Sequence, residues 1–305
     1  MRLQDAISMT VVQIQGATWT PERKLQYVMR EGHILAAKVL ADDAVPELMR
    51  RIDRLNSNYE SMILQMAHVS HKLNTARTEQ DMELFGALSR ELYDWMRKSG
   101  GLYDQRDRLN QDLCKRIFSV IGYNGGSLAM DIDHPARQEI LHATNKFMRY
   151  VATPADRTVT VRDVREHGDG FQRSYYTDAD RTVHLRESPS IGTVWHELGH
   201  MMEHERDLGD ITHLYYRYRT QGEPTQQMSE LDPRRPGYQS EEEGKEGDFV
   251  DSYIGKIYVD GGTELISMGM QLLIEDPVRL ITRDREYFEF LLGIIQSVRR
   301  GDPWD

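Results

Sequence analysis

The sequence predicts an α+β fold: a mainly helical N-terminal half over about 1–128, then a domain over about 129–305 whose small sheet packs on one motif-bearing helix. Two observations carry this. Apolar residues recur at steps of three and four through the first half, the period of helices buried on one side. After Gly126 that spacing gives way to short alternating stretches separated by turn residues, the mark of strands.

Thr20-Pro21-Glu22 reads as the first helix start. Thr20 can cap, Pro21 suits the first helical position, and Glu22 favours the positive end of the dipole. Leu25, Val28, Met29, Ile34 and Leu40 form its stripe. A longer helix over about 44–73 follows. Leu48, Ile52, Leu55, Tyr59, Met62, Met66 and Val69 recur in near-heptad order, as in a helical hairpin or short coiled coil. A third helix over about 79–97 carries Met82, Phe85, Leu88, Leu92 and Trp95, and Ser99-Gly100-Gly101 is expected to break it. A fourth covers about 102–121 and stops at the glycine-rich segment from Gly122. These stripes form a bundle core, or one of them docks on a protein partner or a second copy of the chain.

In the second half, His134-Pro135 opens a helix reaching about Tyr150, and Thr158-Val159-Thr160-Val161-Arg162 alternates like a strand. Two further strands, about 171–176 and 181–186, flank Thr177-Asp178-Ala179-Asp180, a hairpin by turn chemistry. Pro224, Pro233 and Pro236 with Gly222 and Gly237 make about 221–251 an irregular lid or insertion.

Composition narrows the function. The 305 residues include 38 Lys+Arg and 49 Asp+Glu, a net charge of −11, which argues against nucleic acid or an anionic membrane as the main partner. One cysteine, Cys114, excludes an intramolecular disulfide and multi-cysteine metal sites. No apolar run approaches the roughly 20 residues of a membrane helix, and no signal-like apolar region follows the start. The expected location is the cytoplasm, with export lacking a cleaved signal as the alternative.

One segment carries chemistry. His196-Glu197-Leu198-Gly199-His200 is a His-Glu-x-x-His motif inside a helical pattern that Ser188-Pro189 or Ser190 can start. Positions i and i+4 share a helix face, so His196 and His200 can place two imidazole nitrogens on one metal ion. Glu197, beside them, can take a proton from a water held there and later return one to a leaving amine. Gly199 in mid-helix implies close packing against another backbone.

Two histidines leave a catalytic zinc one protein ligand short. His204 lies about 12 Å further along the helix axis and cannot join the same ion without a break. The metzincin pattern fails: Arg206 stands where its third histidine belongs, and Glu203 replaces its glycine. A carboxylate further along is the better candidate, with Glu264 entering a helix after Gly261-Gly262-Thr263, and Asp207, Asp210, Glu241-Glu242-Glu243 and Asp260 as the others.

Thr263-Glu264-x-x-Ser267 resembles the Asn-Glu-x-x-Ser segment of thermolysin-like gluzincins, and over roughly 157–269 the chain resembles the zincin metallopeptidases. The resemblance implies a zincin-like domain hydrolysing a protein or peptide substrate. His196, His200 and Glu264 would hold Zn2+ and Glu197 would be the general base. Thr263 and Met268 depart from the family pattern, and the stretch between His200 and Glu264 is long. In lethal-factor-like and Pro-Pro endopeptidases a tyrosine shortly before the Glu ligand donates to the oxyanion; Tyr258 stands one residue short of that offset, with Tyr253 further back. Glu203 and Asp207 fall where a carboxylate orients a ligand imidazole or is simply solvated. By the same resemblance the strand before the motif helix, about 182–187, pairs with the extended substrate. Residues 241–251 hold six acids and one lysine; bordering the cleft, they would favour basic substrates. A weaker resemblance links the same short motifs to zincin-like domains of phage minor head proteins, which implies an assembly role instead. A delivered protease effector is a further alternative.

Overall fold

The computed structural model describes residues 19–122, 129–151, 158–164, 173–233, 238–259 and 261–300. It is an α+β fold. Three helices come first: α1 (Pro21–Leu40), α2 (Ala44–Thr78) and α3 (Met82–Ile121). Then follow β1 (Ala129–Asp133), α4 (Arg137–Tyr150), β2 (Thr158–Asp163), β3 (Tyr175–Thr177), β4 (Thr182–Leu185) and α5 (Ile191–Glu205). Beyond these lie α6 (Gly209–Arg219), β5 (Gln226–Gln227), α7 (Met228–Leu231), β6 (Glu243–Gly244) and β7 (Lys256–Ile257). Helices α8 (Leu265–Glu275), α9 (Pro277–Arg283) and α10 (Arg285–Arg299) close the described chain. No helix among the described residues is long and apolar enough to cross a membrane.

Contacts divide the chain into two compact units, 40–116 and the rest. The patterning puts a boundary near 128; the contact division instead falls inside the helical half and groups α1 with the motif.

Unit 40–116 is a helical hairpin. Asp81 caps its second helix by accepting from the Leu84 backbone N–H at 3.0 Å. Val69, Leu73 and Ala76 of α2 meet Phe85, Leu88, Leu92 and Trp95 of α3. The expected break at Ser99-Gly100-Gly101 does not occur, because α3 runs unbroken through it. Leu92, Trp95, Ser99 and Leu102 keep the three–four step across the glycines, so the packing stripe continues. That outweighs a propensity cost of about 1 kcal/mol per glycine.

In the other unit, α1 crosses α10 with backbones touching. A Cβ on Gly32 would run into the Glu289 carbonyl, and one on Gly293 into that of Val28. The larger sheet has the order β1-β2-β4-β3, parallel except for β3. Strand β1 escaped the sequence reading because its alternation Ala129-Met130-Asp131-Ile132-Asp133 is short and acidic. The helix expected from His134-Pro135 starts at Arg137. Only 173–176 of the strand expected over 171–176 lies within the described residues, and its ladder covers Tyr175–Thr177. The segment expected to be an irregular lid, outside the undescribed 234–237, carries β5 and β6, which form a small antiparallel sheet with β7 beyond it. Asp276 and Asp284 cap α9 and α10 through the backbone N–H groups of Arg279 and Tyr287. These two helices, with α8, supply much of the fully buried core, including Leu273, Phe290 and Ile294.

Candidate metal centre

Ser190 starts α5 by accepting from the Thr193 backbone N–H at 3.0 Å. Trp195 anchors the helix from behind. Its ring meets Phe147 edge-on with centroids 5.3 Å apart, and its Nε1 donates to the Ala143 carbonyl at 3.0 Å. With Trp195, Leu198 and Met202 buried, His196 and His200 face a cleft of about 600 Å³.

Gly199 lets a second helix approach, since a Cβ there would stand 2.8 Å from the Ser267 Cα. Helix α8 packs on α5 at this point, and Glu264, just before its first turn, is delivered opposite the two imidazoles. One oxygen, Glu264 Oε2, lies 3.2 Å from His196 Nε2 and 3.2 Å from His200 Nε2. The edge of a tetrahedron with bonds of about 2.0 Å is about 3.3 Å, so these two spacings match two edges of a zinc-sized coordination shell. His196, Glu197 and His200 also offer ligand atoms within 4.8 Å of one another and could hold a metal ion. Of the two carboxylates, Glu264 is the one in contact with both Nε2 atoms. An imidazole–carboxylate donor set suits zinc and several other divalent ions.

The electrostatics follow from burial and proximity. Burial alone would raise the Glu264 carboxyl, but His200 and His196 hold it well below the usual carboxylate range. Burial would likewise lower His200, and Glu264 outweighs this to bring it up to about 9. Glu197 is 3% exposed; burial raises its proton affinity, and the two histidines oppose that only in part. The ring nitrogen His196 Nδ1 is buried without a hydrogen-bond partner.

Glu264 is held on both oxygens. Tyr258 donates its hydroxyl to Oε1 at 2.5 Å and Ser267 donates to Oε2 at 2.6 Å. Tyr253 also hydrogen-bonds this carboxylate. Behind Tyr258 stands Lys256, 5% exposed, with Nζ 3.2 Å from the Tyr258 hydroxyl and 2.7 Å from Glu242 Oε1. Arg173 reaches the same Glu242 oxygen at 2.9 Å.

The remaining sequence candidates among the described residues are not shown in contact with the pair of imidazoles. His204 pairs with Asp178 at 3.4 Å on the exposed side of α5. Glu203 is half-buried in the cleft wall and accepts from Thr212 Oγ1 at 2.6 Å. Asp207 follows α5 with φ 48°, and Asp210 lies in the first turn of α6. Glu241 and Glu243 are exposed, Glu242 is the carboxylate of the lysine–arginine cluster, and Asp260 lies outside the described residues. Glu242 therefore does border the cleft, but its charge is taken up by two cations.

The expected substrate strand needs correcting. β4 is an inner strand, hydrogen-bonded to β2 on one edge and β3 on the other, so it has no ladder left to offer. Among the described residues the edge strand on this side of the sheet is β3, and its Tyr175 and Tyr176 line the cleft. Strand order depends on long-range pairing and could not be read locally. The cluster Arg173–Glu242–Lys256 was missed for the same reason, although the alternation Lys256-Ile257-Tyr258 puts lysine and tyrosine on one strand face.

Comparison with family models, with curated proteins and with solved structures finds no match to this chain.

Proposed function

We propose that the protein is a zinc-dependent metallopeptidase of the gluzincin type, acting on a protein or peptide substrate in the cytoplasm. The observation that carries this is the Glu264 oxygen shared by the Nε2 atoms of His196 and His200. His196, His200 and Glu264 would hold the ion. When bound, zinc lowers the pKa of a coordinated water towards about 7 and polarises the attacked carbonyl.

The chain's own groups supply the rest. Glu197 accepts a proton from the attacking water and passes one to the leaving amine. Tyr258 turns its hydroxyl from Glu264 to the oxygen that gains negative charge. The outer edge of β3 offers backbone groups to an extended peptide.

The test is metal analysis beside hydrolysis of a fluorogenic peptide library. Glu197→Gln should keep zinc and lower the rate by about 10³-fold, within the range for lost acid–base groups. His196→Ala should lose tight zinc binding. Full activity in Glu197→Gln would end the proposed base role.

One observation favours a second reading, a structural protein of phage-head type. The hairpin exposes Leu64, Tyr93, Met96 and Tyr103, side chains suited to an assembly contact. A stable multimer by light scattering with no hydrolysis would select it; a monomer that cleaves peptides would reject it.

A further inference from the structure

Lys256 projects from β7 towards the centre and is nearly sealed from solvent, with 5% exposed. Its ammonium group has three neighbours that matter. Glu242 Oε1 accepts at 2.7 Å, the Tyr258 hydroxyl oxygen lies at 3.2 Å, and the Tyr253 hydroxyl at 3.4 Å. Nζ also sits 4.3 Å from the centroid of the Tyr258 ring. Glu242 is the only carboxylate shown on Lys256 among the described residues, and Arg173 shares it at 2.9 Å. Two cations thus share the Glu242 carboxylate behind Tyr258.

The directions of these bonds are informative. An ammonium group only donates, so towards Lys256 the Tyr258 oxygen must act as acceptor. Its single proton is then free to point the other way, where it now meets Glu264 Oε1 at 2.5 Å. A hydroxyl that accepts from a cation donates more strongly, because the two bonds polarise each other. Lys256 itself lies in the wall of the cleft, 5% exposed.

We infer that Lys256 is a positioning residue: it fixes the Tyr258 hydroxyl as a donor facing the reaction centre and strengthens that donor for the oxyanion. This rests on the peptidase reading above. Glu242 and Arg173 hold Lys256 in place and keep the cluster ordered when the lysine is removed.

The experiment compares wild type, Lys256→Met, Lys256→Arg, Tyr258→Phe and the Lys256→Met/Tyr258→Phe double variant, all zinc-loaded. Three quantities are read: kcat and KM on a fluorogenic peptide library, affinity for a phosphinic pseudo-tripeptide that mimics the tetrahedral state, and zinc affinity by chelator competition. Lys256→Met should lower kcat about 10- to 50-fold, less than the 10²–10³ typical of losing an oxyanion donor outright, with KM within about threefold. Phosphinic-peptide binding should weaken by a similar factor, and zinc affinity should hold. Lys256→Arg should recover most of the rate. In the Tyr258→Phe background the loss from Lys256→Met should shrink to about twofold or less. An undiminished loss in that background, a loss that tracks zinc release, or unchanged kcat in Lys256→Met each overturns the inference while leaving the peptidase reading in place. Neither hydrolysis nor phosphinic-peptide binding by zinc-loaded wild type overturns both.

Discussion

Helices α5 and α3 both carry glycine in their interiors, and the surroundings could hardly differ more. At Gly199 in α5 an added Cβ would press on the Ser267 backbone, whereas at Gly100 and Gly101 in α3 it would meet nothing within 4 Å. In the first region glycine is a spacer that brings two backbones together and places Glu264 against the histidines. In the second it is a local weakness that the half-buried face through Trp95, Ser99 and Leu102 carries through. The same residue therefore has opposite meanings, and only the neighbour decides which.

Substitutions can break or sharpen this contrast. The largest effect is expected at Gly199→Ala. The new methyl must displace backbone at Ser267, and overpacking of this kind costs about 1–3 kcal/mol, partly offset by better helix propensity. Because the displaced helix end carries Glu264, zinc affinity should also fall by at least about tenfold in a chelator competition; an unchanged zinc affinity would show that α8 is not positioned through this contact. A smaller effect is expected at Gly192→Ala, where the added carbon meets the Glu275 carboxylate, a flexible group that can move aside. A loss of about 1 kcal/mol in urea denaturation is expected there, with zinc affinity retained. The smallest change, and of opposite sign, belongs to Gly100→Ala. It should stabilise the hairpin by roughly 0.8–1 kcal/mol and leave zinc binding and hydrolysis untouched. Destabilisation there would mean that something does approach this face.

The sites differ equally in how they could be read from the chain. His196, Glu197 and His200 are legible because a single helical turn fixes their relation. Gly199 could be read as a contact point, but not what it touches. Glu264 is one of several candidate carboxylates by its place at a helix entry, and resemblance to a family segment singles it out, since nothing local ties it to a histidine so far back. The hairpin stripe from Leu48 to Trp95 was legible in its period, yet the glycines misled: local propensity argued for a stop, and the packing that overrode it lies on another helix. Inner and outer strands could not be told apart, because Val183 and Leu185 alternate in the same way whichever neighbours they find. Nothing local relates Lys256, Glu242 and Arg173, whose convergence depends on the pairing of β6 with β7 and on a residue ahead of β3.

Helices α5 and α8 are tied at two points. Gly199 meets Ser267 near the histidines, and at the far end Ser190 donates its hydroxyl to Glu275 at 2.8 Å. Between those ties neither helix has slack. Adding or removing one residue within 268–274 would turn one end by about 100° and shift it about 1.5 Å along the axis relative to the other. The spacing from Glu264 to Glu275 therefore acts as a gauge for the distance between carboxylate and imidazoles.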